Sequence, residues 1–386
     1  MASLLITADR MIITPAGSPT RVVSPGYVRV VDGIITEAAE GRPDGEPDVA
    51  LATGLLAPGL IDLQVNGFFG HDMVDAGEEG WRTVVSRLPE TGVTAFLPTF
   101  ITAPVEVQAA ALRRTRDLLP GLPDGTRVLG VHLEGPFLSE KRKGAHNSAH
   151  LTDPVPGAIE TLLETGLVKL VTLAPERTGA LAAIRTLSGA GVLVSAGHSD
   201  ATADQVEDAA DAGARMVTHI FNAQTGVSHR DPGVAVQALI DDRLHPGLIL
   251  DLHHVAAKVA KLVFRAAAGR VVLVTDAAAS AGMPPGTYDL GGEPITMPAD
   301  GPPLRADGTI AGSGLRLDEA VGNAIGLGLD PAAAVDAATR VPADLIGRPD
   351  LGRIAPGAAA DLVWLGPDHR ARTTWVNGQN VFGGGS

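Results

Sequence analysis

The rhythm of hydrophobic positions changes twice along the chain. Over residues 1 to 57, short apolar runs such as "SLLITADRMIIT" and "GYVRVVDGIITEA" are broken by Gly, Pro and Asp, without helical periodicity. Punctuated runs of this kind are strands. From Pro58 to about Leu351, short apolar runs alternate with Ala-rich stretches of helical spacing, as in "VTAFLPTF", "APVEVQAAALRRTRDLL" and "RVLGVHLEG". That alternation is the signature of βα units and a parallel sheet. Residues 352 to 386 return to short strands, with Asn377-Gly378 as the turn of a hairpin. The pattern predicts an α/β protein, a (β/α)8 TIM-like barrel over 58–351 beside a small β-sandwich built from 1–57 and 352–386. The terminal Gly-Gly-Gly-Ser run carries no such pattern.

The candidate chemistry sits at the ends of the barrel strands. In "GVLVSAGHSDATADQVEDAADAGARMVTHIFNA" the run Val192 to Ser195 is a strand, and His198 follows it. Thr202 and Gln205 have capping-box spacing, opening a helix that Gly213 closes. The next strand begins at Met216 and delivers His219. One strand–helix–strand unit therefore brings two imidazoles to the same face of a parallel sheet. Upstream, "RVLGVHLEG" ends in Glu134, and downstream "RVVLVTDA" ends in Asp276. Catalytic groups gather at that face in barrels. Two imidazoles and one carboxylate suit Zn²⁺ or Fe²⁺ with a position left open for water. A further carboxylate outside the ligand set can move protons.

Each assignment has a plainer competitor. A strand-end carboxylate can equally cap the following helix. Of the eleven histidines, His71, His150, His229, His245, His253 and His369 are taken as surface or hydrogen-bonded residues. Bulk properties narrow the function classes. With 386 residues, 45% apolar and 19% charged, the chain is ordinary for a globular protein. Its 30 basic against 44 acidic residues give a charge of -14, which argues against nucleic-acid or membrane-surface binding. The absence of cysteine excludes disulfides, iron–sulfur clusters and thiolate sites, and fits a reducing compartment. No basic leader with a long apolar core opens the chain, so a cytoplasmic location is expected.

The motifs "PGLIDLQVNG", "GVHLEGPFLSEKRKGAH", "TLAPE", "SAGHSDAT", "THIFNA", "LVTDAAASAG", "GTIAGSGLRLDEAV", "ATRVPADLIG" and "LGRIAPGAAADLV" occur in this order over nearly the whole chain. Together they resemble the N-acetylglucosamine-6-phosphate deacetylase family of the amidohydrolase superfamily. "HLEGPF" followed by "KGAH" is specific to that branch, whereas "PGLID" and "GAAADLV" belong to the wider superfamily. The resemblance implies a metal-dependent barrel that hydrolyses the acetamide of N-acetylglucosamine 6-phosphate, in amino-sugar catabolism and cell-wall recycling. It implies Glu134, His198 and His219 as metal ligands, Asp276 as acid/base and His146 as the group polarising the carbonyl. Asn222 and Ala223 match sugar-phosphate contacts. Arg230 and His254 match phosphate-binding groups that reach across a homodimer interface.

Gln64 and Asn66 stand where many superfamily members carry His-x-His. Carboxamides bind transition metals poorly, so the resemblance is to the single-metal type, with Gln64 and Asn66 as wall or supporting groups. One divalent ion per subunit is expected, Zn²⁺ ahead of Fe²⁺. The chain reads Asp251-Leu252-His253-His254-Val255 where the family has Asp-Gly-x-His-Val, and the following Val favours His254 over His253. Lys141-Arg142-Lys143 is a second candidate for an anion, or a solvated loop. Two other functions stay open. One is an amidohydrolase acting on a cyclic amide or dipeptide, which the missing His-x-His disfavours. The other is a metal-free assembly protein, which the intact ligand set disfavours.

Overall fold

Every residue of the run "LIDLQV" is buried, from Leu60 to Val65. So are eight of the nine positions of "VTAFLPTFI", Val93 to Ile101. A strand covered on both faces has no solvent side to show, hence the mostly apolar runs, interrupted by the buried Asp62, Gln64, Thr94 and Thr99. In the computed structural model, which describes residues 3–384, these are the first two strands of a parallel ring. The strands are β1 (Leu60–Val65), β2 (Val93–Ile101), β3 (Val131–Glu134), β4 (Val168–Leu173), β5 (Leu193–Ala196), β6 (Met216–Val217), β7 (His245–Ile249) and β8 (Val272–Val274). Each pairs in parallel with the next. The ring closes where Asp276 N–H donates to Gln64 O and Asn66 N–H donates to Ala277 O, both at 2.9 Å. Met1, Ala2, Gly385 and Ser386 lie outside the described residues, as does that part of the terminal Gly-Gly-Gly-Ser run.

A helix follows each strand: α1 (Glu78–Arg87), α2 (Val105–Leu118), α3 (Pro156–Leu163), α4 (Ala180–Gly189), α5 (Ala203–Ala212), α6 (Gly233–Ile240), α7 (Ala257–Ala266) and α8 (Leu317–Gly326). The capping box at α5 is present: the Thr202 side chain accepts from Gln205 N–H, and the Gln205 side chain accepts from Thr202 N–H. This satisfies donors that a helix start otherwise leaves unpaired. The barrel and helix faces share one continuous core, in which Trp81, Phe96 and Phe100 are fully buried.

Both chain ends contribute to two further sheets. One orders Ile34–Glu40, Gly26–Val31, Ser3–Ala8 and Val49–Leu51; the other orders Gln379–Phe382, Ala371–Val376, Leu362–Leu365, Leu55–Pro58, Met11–Ile13 and Arg21–Val23. Their facing side chains, among them Ile6, Val28, Met11, Leu56, Leu362 and Trp375, form a second apolar core. The larger sheet is buried on its other face too. Leu55, Ala57, Val363 and Leu365 alternate away from Leu56 and Leu362 into the barrel core. Successive strand residues point to opposite faces, so this one sheet joins the two cores. The hairpin turn falls at Asn377-Gly378, both with positive φ (51° and 72°), between the strands Ala371–Val376 and Gln379–Phe382.

A second hairpin has no counterpart in the alternating pattern read from the sequence. Gly286–Leu290 pairs antiparallel with Glu293–Met297 between β8 and α8. Its segment "GTYDLGGEPITM" carries Thr, Tyr and Ile around Gly-Gly, a hairpin signal hidden inside a region of βα spacing. Together with Ile101 and Ala145, Leu290 and Ile295 form a small apolar cluster over the C-terminal mouth of the barrel.

Candidate metal centre and active site

Glu134 is the last residue of β3, while His198, His219 and Asp276 each stand two residues beyond β5, β6 and β8. The three late residues share a backbone peculiarity: His198, His219 and Asp276 have φ of 48°, 26° and 51°. A side chain in this left-handed region costs of order 1–3 kcal/mol and persists only where the surroundings impose it. Here the turn off each strand end swings the side chain inward over the barrel axis.

Three donor atoms meet there. Glu134 Oε1 lies 2.9 Å from His219 Nε2 and 3.2 Å from His198 Nε2, and the two nitrogens are 3.1 Å apart. All three residues are buried. His198 Nδ1 is 2.9 Å from the Arg142 carbonyl, which can only accept, so the ring proton sits on Nδ1 and Nε2 keeps its lone pair. Burial pushes the Glu134 carboxyl up, but the two imidazoles outweigh it and hold the group well below its ordinary value. Burial pushes His219 down, yet the hydrogen bond and charge of Glu134 raise it to about 8. The triangle thus demands positive charge, and its N/N/O donor set fits one divalent transition-metal ion.

Asp276 sits beside the triangle. Its Oδ1 accepts from Asn66 Nδ2 at 2.7 Å and from Gln64 Nε2 at 2.9 Å, and Gln64 Nε2 also reaches Glu134 Oε1 at 3.2 Å. The two carboxamides therefore tie down one oxygen of Asp276 and leave Oδ2 toward the cavity. Burial, followed by the charge of Glu134, raises the Asp276 carboxyl to about 6. A carboxylate poised this near neutrality can take and return a proton at ordinary pH.

His146 faces Glu134 from the opposite side, with Nε2 3.8 Å from Oε2. Its Nδ1 accepts the Thr102 backbone N–H at 3.3 Å and contacts Thr102 Oγ1 at 2.8 Å. A backbone N–H can only donate, so the neutral ring carries its proton on Nε2, pointed into the site. Burial, followed by the charge of His198, pushes His146 down to about 3, which keeps it a neutral donor. Gly135 protects this arrangement: at φ 89° a Cβ there would overlap Thr102 Oγ1.

These groups open into one cavity of about 280 Å³, also lined by Asn222, Ala223 and His254. Asp251 Oδ2 holds His254 Nδ1 at 2.7 Å, while His253 is exposed. Arg230 is exposed and does not line the cavity of its own chain. Lys141 and Arg142 both pair with Asp200, at 2.9 Å each, tying the loop after β3 to the loop after β5, and none of Lys141, Arg142 and Lys143 lines the cavity. None of His71, His150, His229, His245, His253 and His369 lines the cavity.

Several contributors were not picked out from sequence. Thr102 and the Arg142 carbonyl orient the imidazoles through backbone groups, which no motif announces. His132 lies fully buried beneath Glu134, bonded to Thr99 Oγ1 at 3.2 Å and Thr172 Oγ1 at 2.8 Å. Its signal was present, because residues two apart on a strand share a face.

A buried Glu-His-His triangle at the strand ends of a closed parallel barrel defines a metal-dependent hydrolase of the amidohydrolase type. The model of the Amidohydrolase family matches residues 55–381, and the chain belongs to that family. Within it the chain is similar to the N-acetylglucosamine-6-phosphate deacetylase of Danio rerio, at 38% identity over 85% of this chain and 84% of the relative. It is likewise similar to the N-acetylgalactosamine-6-phosphate deacetylase of Escherichia coli O157:H7, at 37% over 91% and 93%. Among solved structures, an N-acetyl-D-glucosamine-6-phosphate deacetylase variant from Mycobacterium smegmatis, in complex with N-acetyl-D-glucosamine-6-phosphate, matches with a TM-score of 0.93. That match has 33% identity and covers 99% of this chain and 100% of the other. Among the described residues no helix is long and apolar enough to cross a membrane.

Proposed function

We propose that this protein hydrolyses N-acetyl-D-glucosamine 6-phosphate to D-glucosamine 6-phosphate and acetate. The observation that carries the proposal is the pairing of two opposed groups around one metal-binding triangle. Asp276 keeps Oδ2 free on one side, and His146 offers Nε2–H on the other.

Glu134, His198 and His219 would hold one divalent ion, with Zn²⁺ the best match to their donor set. When bound, such an ion supplies Lewis acidity, making water acidic enough to attack at neutral pH and drawing charge from the acetamide oxygen. Asp276 accepts the proton of the attacking water on Oδ2. His146 donates Nε2–H to the carbonyl oxygen as negative charge develops there. Asp276 then returns its proton to the departing amine, which leaves as the amino sugar while acetate is released. Gln64 and Asn66 keep Asp276 from turning away during both transfers.

Asn222, Ala223 and His254 are assigned to the sugar phosphate. The exposure of Arg230 on its own chain supports its service to a partner's site in a homodimer. Exposed Val227, Leu252 and Leu262 near Arg230 and His254 in sequence would supply apolar area for that contact. A phosphorylated sugar is charged and stays where it is formed, which supports a cytoplasmic setting. The Escherichia coli relative favours a second reading, the galactosamine epimer as substrate. Acetate release from both epimers, each with and without the 6-phosphate, is the test, with metal content measured on the same sample. Activity that ignores the phosphate, or a dipeptide as the better substrate, would refute the proposal.

A further inference from the structure

One wall of the cavity is apolar and has no part in the steps above. Ile101 at the end of β2, Ala145 just before His146, and Leu290 at the tip of the second hairpin all line it. Leu290 is buried at 6% exposure and clusters with Ala278, Ile295 and Ala311, against which Ile101 and Ala145 pack. This wall adjoins the carbonyl-facing imidazole. Ala145 precedes His146, Ile101 precedes the Thr102 that holds His146 Nδ1, and Ile101 pairs with Glu134 across β2 and β3. Of the polar lining, Asn222, His254 and Asp276 come from the ends of β6, β7 and β8, where Ile249 is a separate apolar position, and Glu134 and His198 from the ends of β3 and β5.

An amide carbonyl carbon carries three substituents. With the oxygen toward His146 Nε2 and the nitrogen toward Asp276 Oδ2, the acyl carbon is directed to the remaining wall. We propose that Ile101, Ala145 and Leu290 form an acyl pocket whose depth is fixed by the hairpin, so that acetyl is accepted and longer acyl groups are rejected. This rests on the deacetylase assignment and adds the feature that selects its leaving acid.

The wall is held in place. Gly291 has φ 61°, and a Cβ there would overlap Ile101 Cδ1, so the hairpin turn sits directly against the Ile101 side chain. Asp72 Oδ2 accepts the Gly291 N–H at 2.6 Å, and Asp72 Oδ1 accepts Val74 N–H at 3.1 Å. Asp72 is therefore a positioning residue, pinning the turn so that Leu290 cannot retreat to admit a longer chain.

The test is carboxylate release from glucosamine 6-phosphate carrying N-acetyl, N-propionyl or N-butyryl groups, read as kcat/KM. One methylene in an apolar pocket is worth about 10- to 200-fold in discrimination, and wild type should fall by that factor per methylene. Leu290→Ala should raise the butyryl-to-acetyl ratio at least tenfold, and Ile101→Val, which removes one methyl, should raise the propionyl-to-acetyl ratio. General damage to the fold lowers all three substrates alike and leaves these ratios unmoved. Unchanged ratios in both variants, or a wild type that takes butyryl as well as acetyl, would overturn the pocket while the deacetylase assignment stands. A wild type that releases no acid from any of the three overturns both.

Discussion

Replacing Asp276 with Asn should move activity and stability in opposite directions. Asparagine keeps an oxygen at Oδ1 for the amide hydrogens of Asn66 and Gln64, now 2.7 and 2.9 Å away, so the side chain stays in place. What is lost is the proton acceptor, and positioned acid–base groups contribute about 10²- to 10⁴-fold. For stability the sign runs the other way. The Asp276 carboxyl is raised from 3.8 to about 6 in the folded protein by burial and by Glu134. A raised folded value means the stabilising contribution is complete below the unfolded value, and is lost as pH climbs through about 6. At about 1.4 kcal/mol per pH unit, holding this carboxylate ionised at pH 7 costs about 3 kcal/mol. Asparagine never ionises and avoids that cost. In metal-free protein at pH 7 the variant should therefore melt higher than wild type, yet turn over about 10²- to 10⁴-fold more slowly once metal is restored. Calorimetry of metal-free samples and a coupled acetate assay of reconstituted ones give the two readings. The acid limb of wild-type kcat/KM should fall at or below about pH 6, since a neighbouring cation can only draw the carboxyl lower. A variant with near-wild-type turnover, or one that melts lower without metal, would refute the reasoning.

Three further outcomes are expected. His146→Ala removes one donor to the developing oxyanion and should reduce kcat by about 10²- to 10³-fold with a smaller change in KM; an effect confined to KM would reassign His146 to binding. Chelation should abolish turnover and lower Tm, and adding back Zn²⁺ should restore both, because a ligand held only by the folded state stabilises it by about 2.7 kcal/mol at 100 times its Kd. Full activity in rigorously demetallated protein contradicts this. Asp72 is raised by burial from 3.8 to about 7, so its contribution is complete below the unfolded value and lost as pH rises through about 7. That is worth about 4 kcal/mol at about 1.4 kcal/mol per pH unit, so Asp72→Asn should flatten the loss of stability between about pH 5 and 8, and parallel curves for the two proteins would refute it.

Legibility in the sequence followed burial. Strands buried on both faces, such as β1 and β2, announced themselves as short, mostly apolar runs, and the capped start of α5 was spelled out by Thr202 and Gln205. Glu134, His198, His219 and Asp276 could be placed because each sits at or just past a strand end. The second hairpin could not, because the strongest local pattern around it is helix–strand alternation and its two strands mostly face solvent. The shared character of the larger terminal sheet was also hidden. A run such as "LLAP" is apolar throughout because its two faces serve different cores, and no period distinguishes that from a buried barrel strand. Side-chain support given by backbone atoms, as from Thr102 and Arg142, has no sequence signature at all.

The carboxamide pair shows why the missing His-x-His does not weaken the site. A neutral imidazole at position 64 or 66 would bring one acceptor nitrogen along with its N–H, and that acceptor is the atom that ligates a metal. Gln64 and Asn66 offer N–H instead, and both N–H groups land on the same oxygen of Asp276. That leaves a carboxylate anchored on one side and open on the other, which a proton shuttle requires and a metal ligand does not have. Burial and the charge of Glu134 raise Asp276, the charge of His219 and then the amide of Asn66 pull the other way, and the balance settles at about 6. Without the Asn66 donor the same burial would drive Asp276 higher. Carboxamides at these two positions thus hold Asp276 in the orientation that its proposed role as general base requires.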